Sequence, residues 1–310
     1  MNVQPQSSSV LIPILIVMTG ILLLDIMGVF IRILSATYPP QELSALRNIF
    51  GMVPSFLLLY WTASWHRAGR PWRIRQWKLA FARGGFVAFA QFCFYIALTK
   101  LEFATVSTLA FAGPMFVTAL SMPVLGERVG KWRWIAVLGG FAGVVMVMGP
   151  GTDVFTLSAL LPLGAAFGYA CSAVAVRLFD EDVPSPLVNL YANLSALIGA
   201  IILTLATAEP VMIASWRDLG MIALMGCSGG CGVLCLTVAY RMAQPSALAP
   251  FEYSGIAFAF FLGWVVFNEA PIDRLFPGVL LIVAAGSLIV WRERVKGSPS
   301  PYPRPSRRHR

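Results

Sequence analysis

The chain has 310 residues, of which 58% are hydrophobic and only 12% are charged. An average soluble domain has about 25% charged residues, so this chain lacks the polar residues that a water-facing surface needs. Its net charge of +9 comes from short loops and the C-terminal tail, which argues against a nucleic-acid-binding protein.

Apolar segments close to the length of a membrane span follow one another along the whole chain. This pattern predicts an all-α polytopic membrane protein with ten transmembrane helices in two inverted five-helix repeats. The first five helices are predicted near residues 10–34, 43–64, 79–99, 104–125 and 134–148. The second five are predicted near 155–178, 186–207, 219–241, 246–267 and 275–291.

These helices divide the chain into four parts. Residues 1–9 form a polar lead, residues 10–148 the first repeat and residues 155–292 the second. Residues 293–310 are rich in Pro, Ser and Arg, and we predict a disordered basic cytoplasmic tail.

The second half of the chain repeats the first. At an offset of 142 positions, residues 97–127 align without a gap with residues 239–269, and Glu127 meets Glu269. Because five helices per repeat is an odd number, the second repeat is predicted to sit upside down in the membrane relative to the first. Inverted repeats around a central site are typical of alternating-access transporters.

Basic residues are distributed unequally between the two sides of the predicted bundle. With both termini in the cytoplasm, 18 of the 23 Lys and Arg residues lie on the inner side. This bias is what the positive-inside rule requires, so we expect cytoplasmic termini.

Several short motifs accompany the duplication. The repeats end in Leu125-Gly126-Glu127-Arg128 and Phe267-Asn268-Glu269. Ala97-Leu98 precedes the turn between the third and fourth helices and Leu46-Arg47 opens the second helix. With the ten-helix plan, they make the chain, over about residues 10 to 292, resemble an EamA-type member of the drug/metabolite transporter superfamily. The second repeat departs from the pattern at Asn268, where glycine is usual, so the halves are not assumed to gate alike.

The resemblance implies a secondary transporter that moves a small polar or amphiphilic metabolite across a bacterial inner membrane by alternating access, with export favoured. The segment APFEY at 249–253 and the acid Asp25 in the first helix are similar to the branch with riboflavin and S-adenosylmethionine carriers. An uptake carrier for such a metabolite is therefore the alternative.

Glu252 is the first candidate site residue, because a carboxylate inside a transmembrane helix is costly unless it faces a cavity or a partner. Its counterpart in the first repeat is Ala110, so packing of the repeat does not require an acid there. Glu252 would contact a substrate ammonium or couple transport to protons. The alternative is a structural salt bridge with Arg47 or Arg83.

Asp25 is the second candidate, with the alternatives that it reaches water at the membrane surface or pairs with Arg47. Arg47 would bind a substrate carboxylate or phosphate, or would anchor its helix at the interface. Tyr253 would stack on a planar substrate, or would fill the bundle.

Polar pairs one helical turn apart are further candidates. Gln91 and Tyr95 lie on the third predicted helix, and Asn189 and Asn193 on the seventh. Such side chains contact a substrate or hydrogen-bond a neighbouring helix.

Structural roles are expected for two other sets of residues. Glu127 and Glu269 oppose the dipoles of the helices that they end, and we expect them to lock the repeat ends. The stripe of Cys227, Cys231 and Cys235 lacks a fourth metal ligand, so we expect close helix packing through the neighbouring glycines and no bound metal.

No phosphate-binding loop is found, so neither ATP drive nor any cofactor is expected. Expected partners are a small-molecule substrate and the lipid bilayer, with proton coupling and a homodimer as options and no nucleic acid. The competing class is a membrane-embedded enzyme such as a lipid-modifying transferase. The acidic cluster Asp180-Glu181-Asp182 is explained by a solvated turn instead.

Overall fold

The computed structural model describes residues 11–67, 69, 71–110, 112–126, 130–148, 157–180, 182–207, 211–243, 248, 251–252, 254–268, 276–278, 280–281 and 284. Its α-helices are α1 (Leu11–Leu34), α2 (Pro40–Trp61), α3 (Ala63–Arg67), α4 (Trp77–Lys100), α5 (Phe103–Ala110), α6 (Gly113–Leu125), α7 (Lys131–Met148), α8 (Leu160–Ala175), α9 (Ser185–Thr207), α10 (Trp216–Met242) and α11 (Ser254–Phe267). Short 3₁₀ turns, Leu157–Ala159 and Val176–Leu178, flank α8.

Every regular element in these residues is helical, and six helical segments are long and apolar enough to cross a membrane. They are α1, α2, α4, α9, α10 and the segment that contains α8; α6 and α11 include shorter apolar helices. Large apolar side chains such as Trp61 and Leu205 are exposed on the outside of the bundle, where lipid would cover them. The chain is therefore an all-α polytopic membrane protein. The count of ten spans stays a prediction, because most of the tenth lies outside the described residues.

The fourth predicted helix is not continuous. The prediction of one helix over 104–125 was wrong, because α5 ends at Ala110 and α6 begins at Gly113. Pro114 lies in the first turn of α6, where proline's missing N–H costs nothing, and there it starts a new helix. In the second repeat α11 spans Ser254–Phe267, and Leu248, Phe251 and Glu252 before it are also helical.

The two repeats pack against each other in matched pairs of helices. α1 packs on α10, and the corresponding helices of the opposite repeats, α8 and α4, also pack on each other. In the same way, the contact of α2 with α10 corresponds to the contact of α9 with α4. The contact of α1 with α11 corresponds to the contact of α8 with α6. Each of these contacts between the repeats therefore has a counterpart, as an approximate two-fold relation requires.

The matched positions also end their helices in the same way. After α4 the backbone N–H of Leu101 donates to the carbonyl of Ala97 at 2.9 Å, and after α10 Ala243 donates to Ala239 at 3.0 Å. Both bonds join residues that the 142-residue offset places in register. The duplication is thus visible in the backbone.

The departure at Asn268 does not change the backbone. Gly126 ends α6 with φ 67°, and Asn268 follows α11 with φ 55°. Their N–H groups donate to the carbonyls of Met122 and Trp264, at 3.0 and 3.1 Å. Asparagine is the usual substitute for glycine in this left-handed conformation, so both repeats retain the same helix end.

Two glycines at matched positions bring the repeats into close contact. A Cβ atom at Gly84 on α4 would lie 2.6 Å from the carbonyl oxygen of Ala192 on α9. A Cβ atom at Gly226 on α10 would lie 2.3 Å from the Cβ of Phe50 on α2. All four residues obey the 142-residue offset, so the same contact is made twice.

The predicted small-residue face of α10 is confirmed. A Cβ atom at Gly230 would lie 2.3 Å from the carbonyl oxygen of Gly51 on α2. Cys227 lies on the same face, with its Sγ 3.8 Å from the carbonyl oxygen of Phe50, and its thiol is free. These small residues therefore let α10 approach α2 backbone to backbone.

Candidate functional site

A cavity of about 170 Å³ lies between the two repeats. Its walls come from α1, α2, α4, α5 and α6 of the first repeat and from α8, α10 and Glu252 of the second. No described residue of α9 lines it; this helix packs behind, on α2 and α4. Most of the lining is apolar, and the polar side chains are Asp25, Arg47, Arg83, Ser107, Tyr169, Ser172, Thr237, Tyr240 and Glu252.

Glu252 accepts a hydrogen bond from the hydroxyl of Tyr240 on α10. No ion pair joins Glu252 to any described cation, so the predicted alternative of a salt bridge with Arg47 or Arg83 was wrong. At the 142-residue offset, Tyr240 corresponds to Leu98 and Glu252 to Ala110. Ala110 lines the same cavity, so the matched positions face one space and differ in chemistry.

Asp25 lines the cavity and is almost fully buried. Its Oδ2 atom has no hydrogen-bond partner, and within the described part of the chain no cation lies within ion-pair distance of its carboxylate. Pairing with Arg47 and exposure at the membrane surface, the two predicted alternatives, are therefore both wrong. What remains is a buried carboxylate beside a cavity, a costly arrangement unless a ligand or a proton compensates it.

Arg47 is buried inside the bundle, with 1% of its surface exposed, so it does not anchor α2 at the interface. Its Nη1 donates to Asn48 Oδ1 at 2.8 Å and to Asn193 Oδ1 at 3.2 Å. Two neutral amides thus hold its guanidinium in place while it lines the cavity.

Gln91 belongs to the hydrogen-bond network around Arg47. Its Oε1 accepts from Ser44 at 2.7 Å and from Asn48 at 2.8 Å, and its Nε2 donates to Asn48 Oδ1 at 3.2 Å. Gln91 and Tyr95 are fully buried but do not line the cavity. The network joins α2 to α4, which is the interhelical alternative predicted for Gln91.

Both predicted polar residues of α9 contact α2. Asn189 Nδ2 donates to Ser55 Oγ at 2.8 Å, and Asn193 Nδ2 donates to the carbonyl of Gly51 at 3.3 Å. Like Gln91, these amides hold helices together.

Arg83 lines the cavity, although the sequence suggested it only as a salt-bridge partner of Glu252. Its Nε donates to the carbonyl of Ser172 and its Nη2 to Thr237 Oγ1, both at 3.2 Å, while the buried Nη1 has no partner. Its position near the start of α4, after a basic loop, suggested a cytoplasmic residue. Tyr169 and Tyr240 also line the cavity. Tyr240 could have been found from the sequence, because its counterpart in the first repeat, Leu98, is apolar.

A polar cluster lies at one end of the bundle, where α4 begins and α10 ends. Arg177 Nη1 lies 3.4 Å from the carbonyl oxygen of Tyr240, and Arg241 donates to the carbonyl of Asp180 at 2.9 Å. Gln76 donates to the carbonyl of Leu178 at 2.9 Å. The basic loops predict that this end faces the cytoplasm.

Three predicted residues, Glu127, Glu269 and Tyr253, lie outside the described residues. In the part that is described, no group of three His, Cys, Asp or Glu side chains is placed to hold a metal ion.

Apolar helices that enclose a cavity with buried charged side chains, between two matched repeats, are the architecture of a membrane transporter. The EamA-like transporter family model matches residues 11–149 and 156–291, and the chain belongs to this family. A solved crystal structure has a similar fold, with a TM-score of 0.73 at 20% identity over 92% of this chain and 98% of the other.

Three relatives illustrate the range of named substrates. A riboflavin transporter of Vibrio cholerae is 32% identical over 61% of this chain and 62% of its own length, which is less than two-thirds. An S-adenosylmethionine uptake transporter of Rickettsia prowazekii is 25% identical over 68% of this chain and 71% of its own. The pseudopaline exporter CntI of Pseudomonas aeruginosa is 26% identical over 84% of this chain and 89% of its own length. The family and these relatives are transporters and not enzymes.

Proposed function

We propose that the protein is a secondary transporter for a small polar or amphiphilic metabolite and works by alternating access in a bacterial inner membrane. The observation behind the proposal is the cavity, which both repeats line and which contains Asp25, Arg83 and Glu252. A rearrangement of the matched helix contacts would expose it to one side of the membrane and then to the other.

Glu252 is proposed as the coupling group, because its partner Tyr240 also contacts the polar cluster at the predicted cytoplasmic end. The hydroxyl of Tyr240 donates to Glu252, and its carbonyl oxygen accepts from Arg177. When a proton or a substrate binds Glu252, the hydrogen bond to Tyr240 changes. That change would alter the contacts that close the cytoplasmic end of the cavity.

Export is the favoured direction, because the relative that matches this chain over the largest share of the three is named as an exporter. Uptake is the second candidate, supported by the Rickettsia relative named as an uptake transporter. Comparing metabolites inside and outside deletion and overexpressing cells separates the two. An exporter raises the external level of its substrate when overexpressed, and an uptake carrier lowers it.

Transport itself is tested by counterflow of the metabolite found in this way, with liposomes that contain only this protein. We expect Glu252→Gln to reduce counterflow at least about tenfold, since a hydrogen bond to a charged group contributes about 1.5–3 kcal/mol. Asp182→Asn is the matched control, because it removes an exposed acid outside the cavity and should leave counterflow unchanged. Full counterflow in Glu252→Gln would contradict the coupling role, and no counterflow of any metabolite would contradict transport.

A further inference from the structure

Exposed basic side chains lie together between the end of α2 and the first turn of α4, and we call them the basic surface. They are Arg67, Arg73, Arg75 and Lys78. In the described part of the chain, the acid that pairs with this group is Asp180, whose Oδ2 lies 4.0 Å from Arg75 Nε. Asp182, in the same turn as Asp180, pairs with none of the four. Both side chains of the Arg75–Asp180 pair are well exposed, so water screens the contact and the surface stays positively charged.

Aromatic residues fix the backbone of the basic surface to the bundle. Trp65 is buried and donates from Nε1 to the carbonyl of Pro71 at 3.0 Å. Its ring meets the ring of Trp72 nearly at right angles, with 5.2 Å between the centroids. The carbonyl of Trp72 accepts a hydrogen bond from the hydroxyl of Tyr191 on α9 at 2.9 Å. Ile74 is also buried, so the basic side chains on either side of it extend from an anchored backbone.

An exposed apolar stripe of α2 ends beside the basic surface. Its members are 42–83% exposed and share one face of the helix: Val53, Phe56, Leu57, Tyr60 and Trp61. The ring of Phe56 contacts that of Trp72, with 6.1 Å between the centroids. Tyrosine and tryptophan at the end of an apolar stripe are typical of the level of the lipid headgroups. The basic surface therefore lies where lipid acyl chains give way to phosphate groups.

We propose that the basic surface binds an anionic phospholipid, with the phosphate at Arg73, Arg75 and Lys78 and an acyl chain along the stripe of α2. Clustered basic side chains next to a transmembrane helix attract anionic lipids. The amino end of α4 adds a favourable dipole, because no side chain caps it and its first turn contains no acid. This site lies outside the cavity, so the inference does not depend on the transport function.

Other ligands fit this surface less well. A phosphocholine lipid also has a phosphate, but its quaternary ammonium brings a positive charge toward the basic side chains. A soluble phosphate or a nucleic acid would pair with the charges and make no use of the neighbouring stripe. A phospholipid with a net negative charge satisfies both parts of the surface, and the bilayer holds it at the required depth.

Two lipids with identical acyl chains, phosphatidylglycerol and phosphatidylcholine, test this preference. Native mass spectrometry of the purified full-length protein in detergent counts the lipids bound at each concentration. We expect phosphatidylglycerol to half-saturate the protein at a concentration at least about tenfold lower, because each nearby Lys or Arg strengthens binding of an anionic lipid about fivefold. Equal half-saturation by the two lipids would overturn the inference. So would displacement of phosphatidylglycerol by an equal concentration of glycerol 3-phosphate, which has the phosphate and no acyl chains.

Two double variants locate the site. Arg73→Gln with Lys78→Gln removes two exposed charges and leaves the contact of Arg75 with Asp180. It should raise the half-saturating concentration of phosphatidylglycerol at least about tenfold and leave phosphatidylcholine unchanged.

Lys100→Gln with Arg217→Gln is the matched control. It removes one exposed Lys and one exposed Arg at the opposite end of the bundle, where α4 ends and α10 begins. This control should retain the preference for phosphatidylglycerol. An equal loss in both double variants would mean that net charge alone attracts the lipid, and an unchanged preference in the Arg73 and Lys78 variant would place the lipid elsewhere. Either result would overturn the inference, and the comparison of the two lipids on the unmodified protein needs no variant.

Discussion

The two repeats end their matched helices α4 and α10 in the same way but have different side chains next to the cavity. Tyr240 and Glu252 in the second repeat form a hydrogen-bonded pair, and their counterparts Leu98 and Ala110 are apolar. The helices that contain Tyr240 and Leu98 end with the same hydrogen bond, between matched residues. The difference shows that the duplication preserved the framework while only the second repeat has an acid at this position. The polarity of the side chains at matched positions is therefore asymmetric, although the fold has an approximate two-fold symmetry.

Placing the acid in the first repeat as well should break this asymmetry and lower the stability of the protein. Ala110→Glu would bury a carboxylate that lacks the tyrosine donor and should cost about 1–3 kcal/mol. Adding Leu98→Tyr should recover part of this loss, because the tyrosine can then donate to the acid. Unfolding temperatures in detergent of the two single variants and the double variant measure the coupling. No recovery in the double variant relative to the sum of the single variants would contradict the matched geometry.

The shared framework is tested at the matched glycines of α4 and α10. Gly84→Ala and Gly226→Ala should each lower stability by about 1–3 kcal/mol, because the new methyl group would collide with backbone or Cβ atoms of α9 or α2. Gly85→Ala is the matched control, since nothing lies within 4 Å of a Cβ atom there. It should stabilise α4 by about 0.5–1 kcal/mol through backbone entropy. Thermal stability and yield of monodisperse protein measure both effects, and equal results at Gly84 and Gly85 would count against a close contact.

Substitutions at the helix ends of the two repeats should change the stability of the protein least. Gly126→Ala forces a side chain into a left-handed conformation and should cost about 1–2 kcal/mol. Asn268→Gly should change stability by only a few tenths of a kcal/mol, because asparagine already tolerates that conformation. Unfolding temperatures of the two variants check this contrast. A large loss in Asn268→Gly would mean that its side chain has a role beyond the helix end.

The sequence predicted much of the framework, because periodic apolar segments and one constant offset determine it. The offset placed Ala97 in register with Ala239, and it separated Glu252 from Ala110 on the residues alone. It did not predict the break after Ala110, because an apolar segment reads the same whether its helix is continuous or broken. Pro114 was the available signal, and its position in a first turn became clear only from the fold.

The residues of the cavity were predicted less well than the fold. Glu252 and Asp25 could be selected because a carboxylate is conspicuous in an apolar helix. Gln91 could not be separated from substrate contacts, because its role depends on Ser44 and Asn48 of another helix. Arg83 was not predicted to line the cavity because a cation near a helix end usually reaches water, and only packing against α8 and α10 buries it.

The close contact of α10 with α2 has a consequence for leakage across the membrane. A Cβ atom at Gly230 would lie 2.3 Å from the carbonyl oxygen of Gly51, so this seam has no room for a methyl group. The backbones of the two helices are in direct contact at this point, which leaves no space for water between them. The boundary between the repeats is thus closed at this seam by the absence of side chains.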